Sequence, residues 1–189
     1  MLVFKFIIHS EVFYMKLIKT VMAGAVAMVL VSFGANAADQ GHGKVNFKGT
    51  IINAPCGIAP ESADQSIDFG QISKAHLNNG GLSIKKDVDI KLVNCDFGDP
   101  AAGNTVSVAF TGTTVGNPDT LGLSDTNAVI KMTGQDGKFV QFDGKTASNT
   151  TTLMNGDNTL HYQAWVQKGA QAVTEGDFTA VANFTLAYK

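Results

Sequence analysis

The last fourteen residues, Gly176 to Lys189, restrict the fold more than any other stretch of the chain. Apolar side chains occupy every second position, and the opposite face holds Thr179, Asn183 and Thr185, with Val181 and Ala187 as apolar exceptions. The apolar positions are Phe178, Ala180, Ala182, Phe184, Leu186 and Tyr188. A period of two predicts a half-buried β-strand from Phe178 to Tyr188.

This predicted strand ends one residue before the C-terminus, so we expect no later segment to pair with its far edge. That edge is then either exposed or covered by another chain. The alternative is an ordinary final strand of a sandwich domain, because many domains end in this way. The pattern of these residues alone leaves both interpretations open.

A secretory signal peptide precedes the domain. Two lysines follow Met15 within five residues, and an apolar stretch from Val21 to Phe33 leads to the small-residue motif Ala35-Asn36-Ala37. This order of basic, apolar and small residues is typical of a signal peptide that is cleaved after the small-residue motif. We therefore expect residues 1–37 to be a leader, with Met15 as the true start, and the remainder to be exported.

The composition of residues 38–189 excludes several classes of function. This part has more acidic than basic side chains and no arginine, the side chain best suited to phosphate and base recognition, which argues against a nucleic-acid partner. Its histidines, His42, His76 and His161, lie in separate segments without metal-ligand spacing. We predict no catalytic residue, no metal site and no cofactor.

Cys56 and Cys95 are the two cysteines of the chain. Two cysteines in an exported domain favour a single disulfide bond between them. The alternative is a metal or redox pair, although the spacing is not that of a CxxC motif.

Short apolar runs separated by Gly, Asn, Asp and Pro predict an all-β sandwich or barrel. One helical turn is expected between Gln71 and Leu77. The strands predicted before the terminal one are Lys44–Asn53, Ser66–Gly70, Val88–Cys95, Val106–Phe110, Ala128–Met132, Lys138–Phe142 and Leu160–Gln167.

Several stretches carry a family resemblance. One cysteine follows the first predicted strand and the other ends a later one, a glycine lies fourteenth from the C-terminus, and a tyrosine is penultimate. The matching stretches are Gly43–Cys56, Ser62–Gln71, Asp89–Cys95, Asn155–Val166 and Ala172–Lys189. On these features the chain resembles the structural subunits of bacterial chaperone–usher pili, or fimbriae, and among them the major rod subunits of P pili.

The resemblance implies an incomplete immunoglobulin-like β-sandwich, a pilin domain over residues 48–189 that lacks its seventh strand. A donor strand from another chain completes such a domain, which is a known case of β-strand addition. The terminal strand would border the open groove and contact the periplasmic chaperone, which would hold the Lys189 carboxylate, and Gly176 would mark a tight approach. The implied groove residues are Gly176, Phe178, Ala180, Ala182, Phe184, Leu186, Tyr188 and Lys189.

The resemblance also implies a donor arm at residues 38–47, before the first cysteine. Its residues Gly41, Gly43, Val45 and Phe47 share one face with a period of two. We expect this face to enter the groove of a neighbouring subunit.

The expected function is that of a major structural subunit, not an enzyme, which polymerises head to tail by donor-strand exchange into a surface fibre that supports adhesion. The resemblance implies a periplasmic chaperone, an outer-membrane usher, further copies of the chain and tip or adaptor pilins as partners. The alternatives are a minor or adaptor pilin, and a monomeric secreted β-sandwich binding module. That module would use Trp165, which we interpret as a core residue.

Overall fold

The structure, a computed structural model of the chain, describes residues 42–98 and 103–189. The chain divides into two compact units, Met1–Gly49 and Thr50–Lys189. In the first unit, residues 42–49 form neither a helix nor a strand. The expected leader, residues 1–37, lies outside the described residues, as do residues 38–41 of the donor arm.

The second unit consists mainly of strands joined by turns. Its described residues form two short helices, the second of which ends one residue beyond the expected helical turn. No described helix is long and apolar enough to cross a membrane. The helices are α1 (Pro60–Ala63) and α2 (Lys74–Asn78). The strands are β1 (Gly57–Ile58), β2 (Lys86–Cys95), β3 (Thr105–Gly112), β4 (Leu121–Gly122), β5 (Ala128–Gly134), β6 (Asp143–Thr152), β7 (Gly156–Lys168) and β8 (Ala182–Tyr188).

These strands form two antiparallel sheets, and the predicted all-β class is confirmed. One sheet has the order β1-β2-β7-β5-β4, and the other has the order β6-β3-β8. Each sheet turns its alternate apolar side chains inward, which is the arrangement expected of a sandwich with one buried face per sheet.

The main core lies between the two sheets. Ile90 and Leu92 of β2 are fully buried, and they share one cluster with Val106 and Val108 of β3 and with Tyr162 of β7. A smaller cluster lies beside α2 and consists of Leu77, Ala128, Val166 and Val173. Both clusters contribute residues to the candidate site described below.

Three predicted strands are wrong. The described residues before β1 form no strand, so the strand predicted at Lys44–Asn53 is absent; a strand needs a paired neighbour, and the chain supplies none there. The segments Ser66–Gly70 and Lys138–Phe142 form no strand either, although Phe139 makes one isolated bridge with Thr133. In contrast, β6 was not predicted, because its threonine-rich sequence has no apolar alternation.

Candidate functional site

The backbone of β8 has an edge that faces away from β3. Lys189 and Thr105 exchange two backbone hydrogen bonds: the Lys189 N–H donates to the Thr105 carbonyl at 2.9 Å, and the Thr105 N–H donates to Lys189 at 2.8 Å. Bonded and non-bonded pairs alternate along an antiparallel ladder. The unbroken register from Val106–Tyr188 to Gly112–Ala182 therefore turns every second backbone unit of β8 away from β3.

The residues with outward-turned backbone groups are Ala182, Phe184, Leu186 and Tyr188. No strand pairs with this edge in the described parts of the chain, because β8 ends its sheet. Exposed rows of N–H and C=O groups are a template for pairing with an added strand.

The side chains of β8 alternate as the sequence predicts. Phe184, Leu186 and Tyr188 are half-buried and pack against the main core, whereas the residues between them are exposed. The Phe184 ring lies 6.3 Å from the ring of Phe110 on β3. The strand therefore combines a core-facing apolar side with a free backbone edge.

Residues 62–69, here called the wall segment, lie on the opposite side of the groove. Ser62 fixes its start: the Ser62 hydroxyl donates to the Asp89 carbonyl at 3.2 Å and accepts from the Lys91 N–H at 3.0 Å. Along the segment, Gln65, Ile67 and Phe69 are half-buried, and the residues between them are exposed. The wall segment thus has strand-like alternation although it joins no ladder.

An open apolar groove of about 530 Å³ runs between the wall segment and residues 178–184. Its floor is made of core side chains from both sheets, including Val88, Ile90 and Phe110. The groove leaves apolar surface open to solvent, and a complete sandwich would cover this surface with another strand.

A second cavity of about 600 Å³ shares Ile67, Phe69 and Phe178 with the groove. The rings of Phe69 and Phe178 lie 6.5 Å apart. Thr126 also lines this cavity, and its buried hydroxyl has no hydrogen-bond partner among the described residues.

The predicted strand starts too early, because the ladder of β8 begins at Ala182 and not at Phe178. Before Ala182, the backbone hydrogen-bonds to Ser124 and not to β3. The Ser124 N–H donates to the Thr179 carbonyl at 3.1 Å, and the Thr179 N–H donates to the Ser124 hydroxyl at 2.9 Å. Phe178 is half-buried and Ala180 is exposed, and both line the groove.

Gly176 lines the second cavity, but not at the predicted tight approach. A Cβ atom there would meet only the Thr126 methyl, at an ordinary 3.9 Å. Its φ of 151° is instead the reason for glycine, because side chains disfavour that backbone conformation.

The chain end is held by backbone pairing. Besides the Lys189–Thr105 pair, Gly103 approaches so closely that a Cβ atom would lie 2.8 Å from the Lys189 carbonyl carbon. Tyr188 packs its ring against the core, burial raises the pKa of its hydroxyl, and this hydroxyl has no hydrogen-bond partner in the described structure.

The C-terminal part of the predicted donor arm, residues 42–47, is described by the structure and is exposed. Val45 is 75% exposed and Phe47 is 92% exposed, and Gly41 lies outside the described residues. Ile51 and Ile52 are also exposed, and sequence reasoning missed them because it ended the arm at Phe47. The period-two spacing of Val45, Phe47 and Ile51 was the available signal.

The two cysteines form the predicted disulfide, Cys56–Cys95. Both are buried in the main core, and the bond ties the residue before β1 to the last residue of β2. This pairing replaces the alternative of a metal or redox pair.

Trp165 is a core residue, as predicted. It is 6% exposed, its indole N–H donates to the Gln167 side chain at 3.0 Å, and its ring lies 6.1 Å from that of Phe139. This burial leaves little ring surface for a sugar, so it gives no support to a binding module built on Trp165.

His76 and His161 do not line the groove. His161 Nδ1 lies 2.8 Å from Asp89 Oδ1 on the exposed face of β2 and β7, and His76 contacts the Leu82 carbonyl. In residues 42–98 and 103–189, no three His, Cys, Asp or Glu side chains are grouped as metal ligands would be.

Comparison with known proteins relates this architecture to fibre subunits. The profile of the fimbrial protein family matches residues 45–189. The Pap fimbrial major pilin protein of Escherichia coli is 50% identical over 92% of this chain and 100% of that protein. A chaperone–usher pilus structure matches with a TM-score of 0.73 at 49% identity, covering 79% of this chain and 97% of that one. The crystal structure of the P pilus rod subunit PapA matches with a TM-score of 0.67 at 49% identity, covering 72% and 100%.

Proposed function

Because the chain belongs to the fimbrial protein family, we propose that it is a major structural subunit of a chaperone–usher pilus that polymerises head to tail by donor-strand exchange. It is a structural protein and not an enzyme. The N-terminal segment of one copy would supply the strand that the groove of the next copy lacks.

One observation carries this proposal: the same chain has both an open apolar groove with a free backbone edge and an exposed apolar segment with matching alternation. Val45, Phe47 and Ile51 share one face of an extended segment, with Gly49 at the position between the last two, as a strand that fills a groove requires. Burying each of them would contribute about 1.5–3 kcal/mol. Pairing with the β8 edge would satisfy its exposed backbone groups.

The geometry of these two parts favours an open polymer. Residues 42–53, here called the N-terminal segment, would span about 40 Å when extended, enough to follow residues 178–188. The groove and the N-terminal segment are different surfaces, and a contact between unlike surfaces generates chains unless its rotation closes a ring. The proposed donor arm, residues 38–47, extends this segment toward the N-terminus.

Glycines in the donor arm would let it pass crowded parts of the groove. At Gly43 an added Cβ atom would meet no atom within 4 Å in the subunit. A larger residue there, or at Gly41, would therefore act on the complex with a neighbour rather than on the subunit itself.

At the protein concentrations of the cell, an exposed groove and strand edge would favour aggregation before assembly unless something covered them. We therefore propose that a periplasmic chaperone binds the groove first, contacts residues 176–189 and holds the Lys189 carboxylate with basic side chains. The leader, residues 1–37, would be removed during export, and an outer-membrane usher would then exchange the chaperone for the next subunit. Tip or adaptor pilins would end the surface fibre.

Electron microscopy of cells that express a variant lacking residues 38–47 tests the proposal. We expect no fibres, although the subunit should still co-purify with the chaperone because its groove is intact. A variant in which these ten residues are replaced by a Gly/Ser stretch separates the loss of the arm's side chains from a loss of length. Normal fibres from either variant would show that the arm is a tail without a role in assembly.

A further inference from the structure

The outward face of the wall segment is acidic. Asp64 and Asp68 are exposed, on the positions between the half-buried Gln65, Ile67 and Phe69. Asp68 accepts a hydrogen bond from the Gly70 N–H at 2.7 Å, and the described structure gives Asp64 neither a hydrogen bond nor an ion pair. Two carboxylates four positions apart on the wall segment therefore lie without a cation, Asp64 along the groove and Asp68 along the second cavity.

The second cavity, beside the groove, adds further acidic side chains. Asp177 and Glu175 line the second cavity, and Glu175 pairs with Lys74 at 3.1 Å. Lys74 is the one basic side chain among the described residues that line the groove or this cavity. The exposed face of β8 from Asn183 to Ala187 is neutral.

The N-terminal segment has the opposite charge. Residues 42–53 contain Lys44 and Lys48 and no acidic residue. In an extended segment the two lysines lie on the face opposite Val45, Phe47 and Ile51, because the lysines are at even-numbered positions and the apolar residues are at odd-numbered positions. Lys44 and Lys48 are also four positions apart, which is about 13 Å in an extended strand.

From this match we infer that Lys44 and Lys48 of one copy pair with Asp64 and Asp68 on the wall segment of the next, which steers the N-terminal segment to the groove and sets its register. The inference rests on the proposed function, because it assumes that the N-terminal segment enters the groove. With the apolar face turned inward, both lysines face outward on the same side as the two carboxylates.

The apolar face alone specifies the register only in part. A shift by one residue would turn Val45 and Phe47 to solvent, so burial excludes it. A shift by two residues would keep them in the groove but would move each lysine away from its carboxylate. Opposite charges on neighbouring strands attract and fix such alignments, so the charge pattern selects one register among those that burial allows.

The rate of polymerisation tests this inference. The purified mature subunit, its leader removed by export, would be followed by light scattering at low and high salt, both unchanged and as the double variants Lys44→Glu/Lys48→Glu and Asp64→Lys/Asp68→Lys. We expect each double variant to polymerise about tenfold more slowly at low salt, and its rate should rise with added salt, because like charges then face each other and salt screens their repulsion. The subunit that carries all four substitutions should recover the original rate at low salt.

Controls separate the possible outcomes. Lys145→Glu reverses a charge on β6, away from the groove, and should leave the rate unchanged. Asp64→Lys alone changes a side chain without a partner, so it tests the wall segment if the double variant misfolds. Unchanged rates in the double variants, or no recovery in the combined variant, would overturn the inference. Polymerisation of a Val45→Asp subunit at the normal rate would instead overturn the proposed function.

Discussion

The three-stranded sheet has two edges, β6 and β8, and they are built differently. β6 (Asp143–Thr152) carries threonines, a lysine and no large apolar side chain, and its register with β3 shifts twice. β8 (Ala182–Tyr188) carries Phe184, Leu186 and Tyr188 and keeps an unbroken register with the same strand.

Charged or polar side chains and irregular pairing are common ways to stop an edge strand from pairing with another chain. β6 has both of these features and is exposed along most of its length, so it is protected as an edge. β8 has no charged side chain and no irregular pairing, and it borders an apolar groove. The difference indicates that the sheet is complete at β6 and incomplete at β8.

The largest expected effect comes from placing a charge where β8 needs an apolar strand. Val45→Asp would leave an unpaired carboxylate in the groove of the neighbour, at a cost of several kcal/mol, so fibres should be absent by electron microscopy. Met154→Asp is the matched control, because Met154 is similarly exposed but lies in the turn after β6. Fibres from Val45→Asp subunits would mean that β8 is completed in another way.

The next effect compares side chains of the two edges. Phe184→Ala should lower the free energy of unfolding by about 2 kcal/mol, because the half-buried ring packs on the core. Thr150→Ala on β6 should change it by at most about 0.5 kcal/mol. Urea denaturation in the Val45→Asp background, which should keep the subunit monomeric, measures both. Equal costs would show that the two edges do not differ in packing.

Hydrogen exchange sharpens the comparison at the level of single amides. In the Val45→Asp monomer, the amides of Ala182, Phe184, Leu186 and Tyr188 should exchange quickly, whereas those of Asn183, Thr185 and Ala187 should be protected by β3. In the fibre, the first group should slow by about tenfold or more as a donor strand pairs with it.

The free edge of β6 serves as the internal reference for this measurement. Its outward amides should exchange at the same rate in monomer and fibre. Protection that appears at β6 rather than β8 would reverse the assignment of the two edges.

The smallest effect concerns the start of β6. Asp143 accepts hydrogen bonds from the backbone N–H groups of Lys145 and Thr146, both at 2.8 Å, and these bonds lower the pKa of its carboxyl to about 2 from an ordinary 3.8. A carboxyl whose pKa is lower in the folded state than in the unfolded state adds to the free energy of unfolding at a pH above its unfolded-state pKa. This contribution is lost as the pH falls through the folded-state pKa.

The free energy of unfolding of the original chain should therefore exceed that of the Asp143→Asn variant by a constant amount above pH 5. This difference should shrink between about pH 4 and pH 2. Urea denaturation across this range measures it. An advantage that does not change with pH would show that the carboxylate does not contribute through its charge.

The contrast between the edges also explains what the sequence could predict. β2, β7 and most of β8 were predicted because their residues alternate between core and solvent, which gives a clear period. β6 was not, because both of its faces are polar and only its pairing with β3 makes it a strand. The disulfide was predicted because two cysteines in a domain that is expected to be exported favour a single bond.

The candidate site was predicted less completely than the fold. The wall segment and residues 44–53 have strand-like alternation, but neither finds a ladder partner within its own chain, so local pattern overestimates strand content there. Conversely, the role of the wall segment depends on contacts of Ser62 with β2, which no local pattern reveals. The exposed Ile51 and Ile52 of the N-terminal segment lie beyond the predicted donor arm, which ends at Phe47.

The disulfide has a mechanical consequence for a fibre under tension. A pull on the N-terminal segment reaches the domain at Cys56, one residue before β1, which pairs with β2 over only two residues. The Cys56–Cys95 bond diverts this load into the end of β2, and the ladder of β2 with β7 extends from Cys95–Gly156 to Lys86–Ala164. A force applied along such a ladder shears many hydrogen bonds together, so the domain resists extension where β1 alone would peel away.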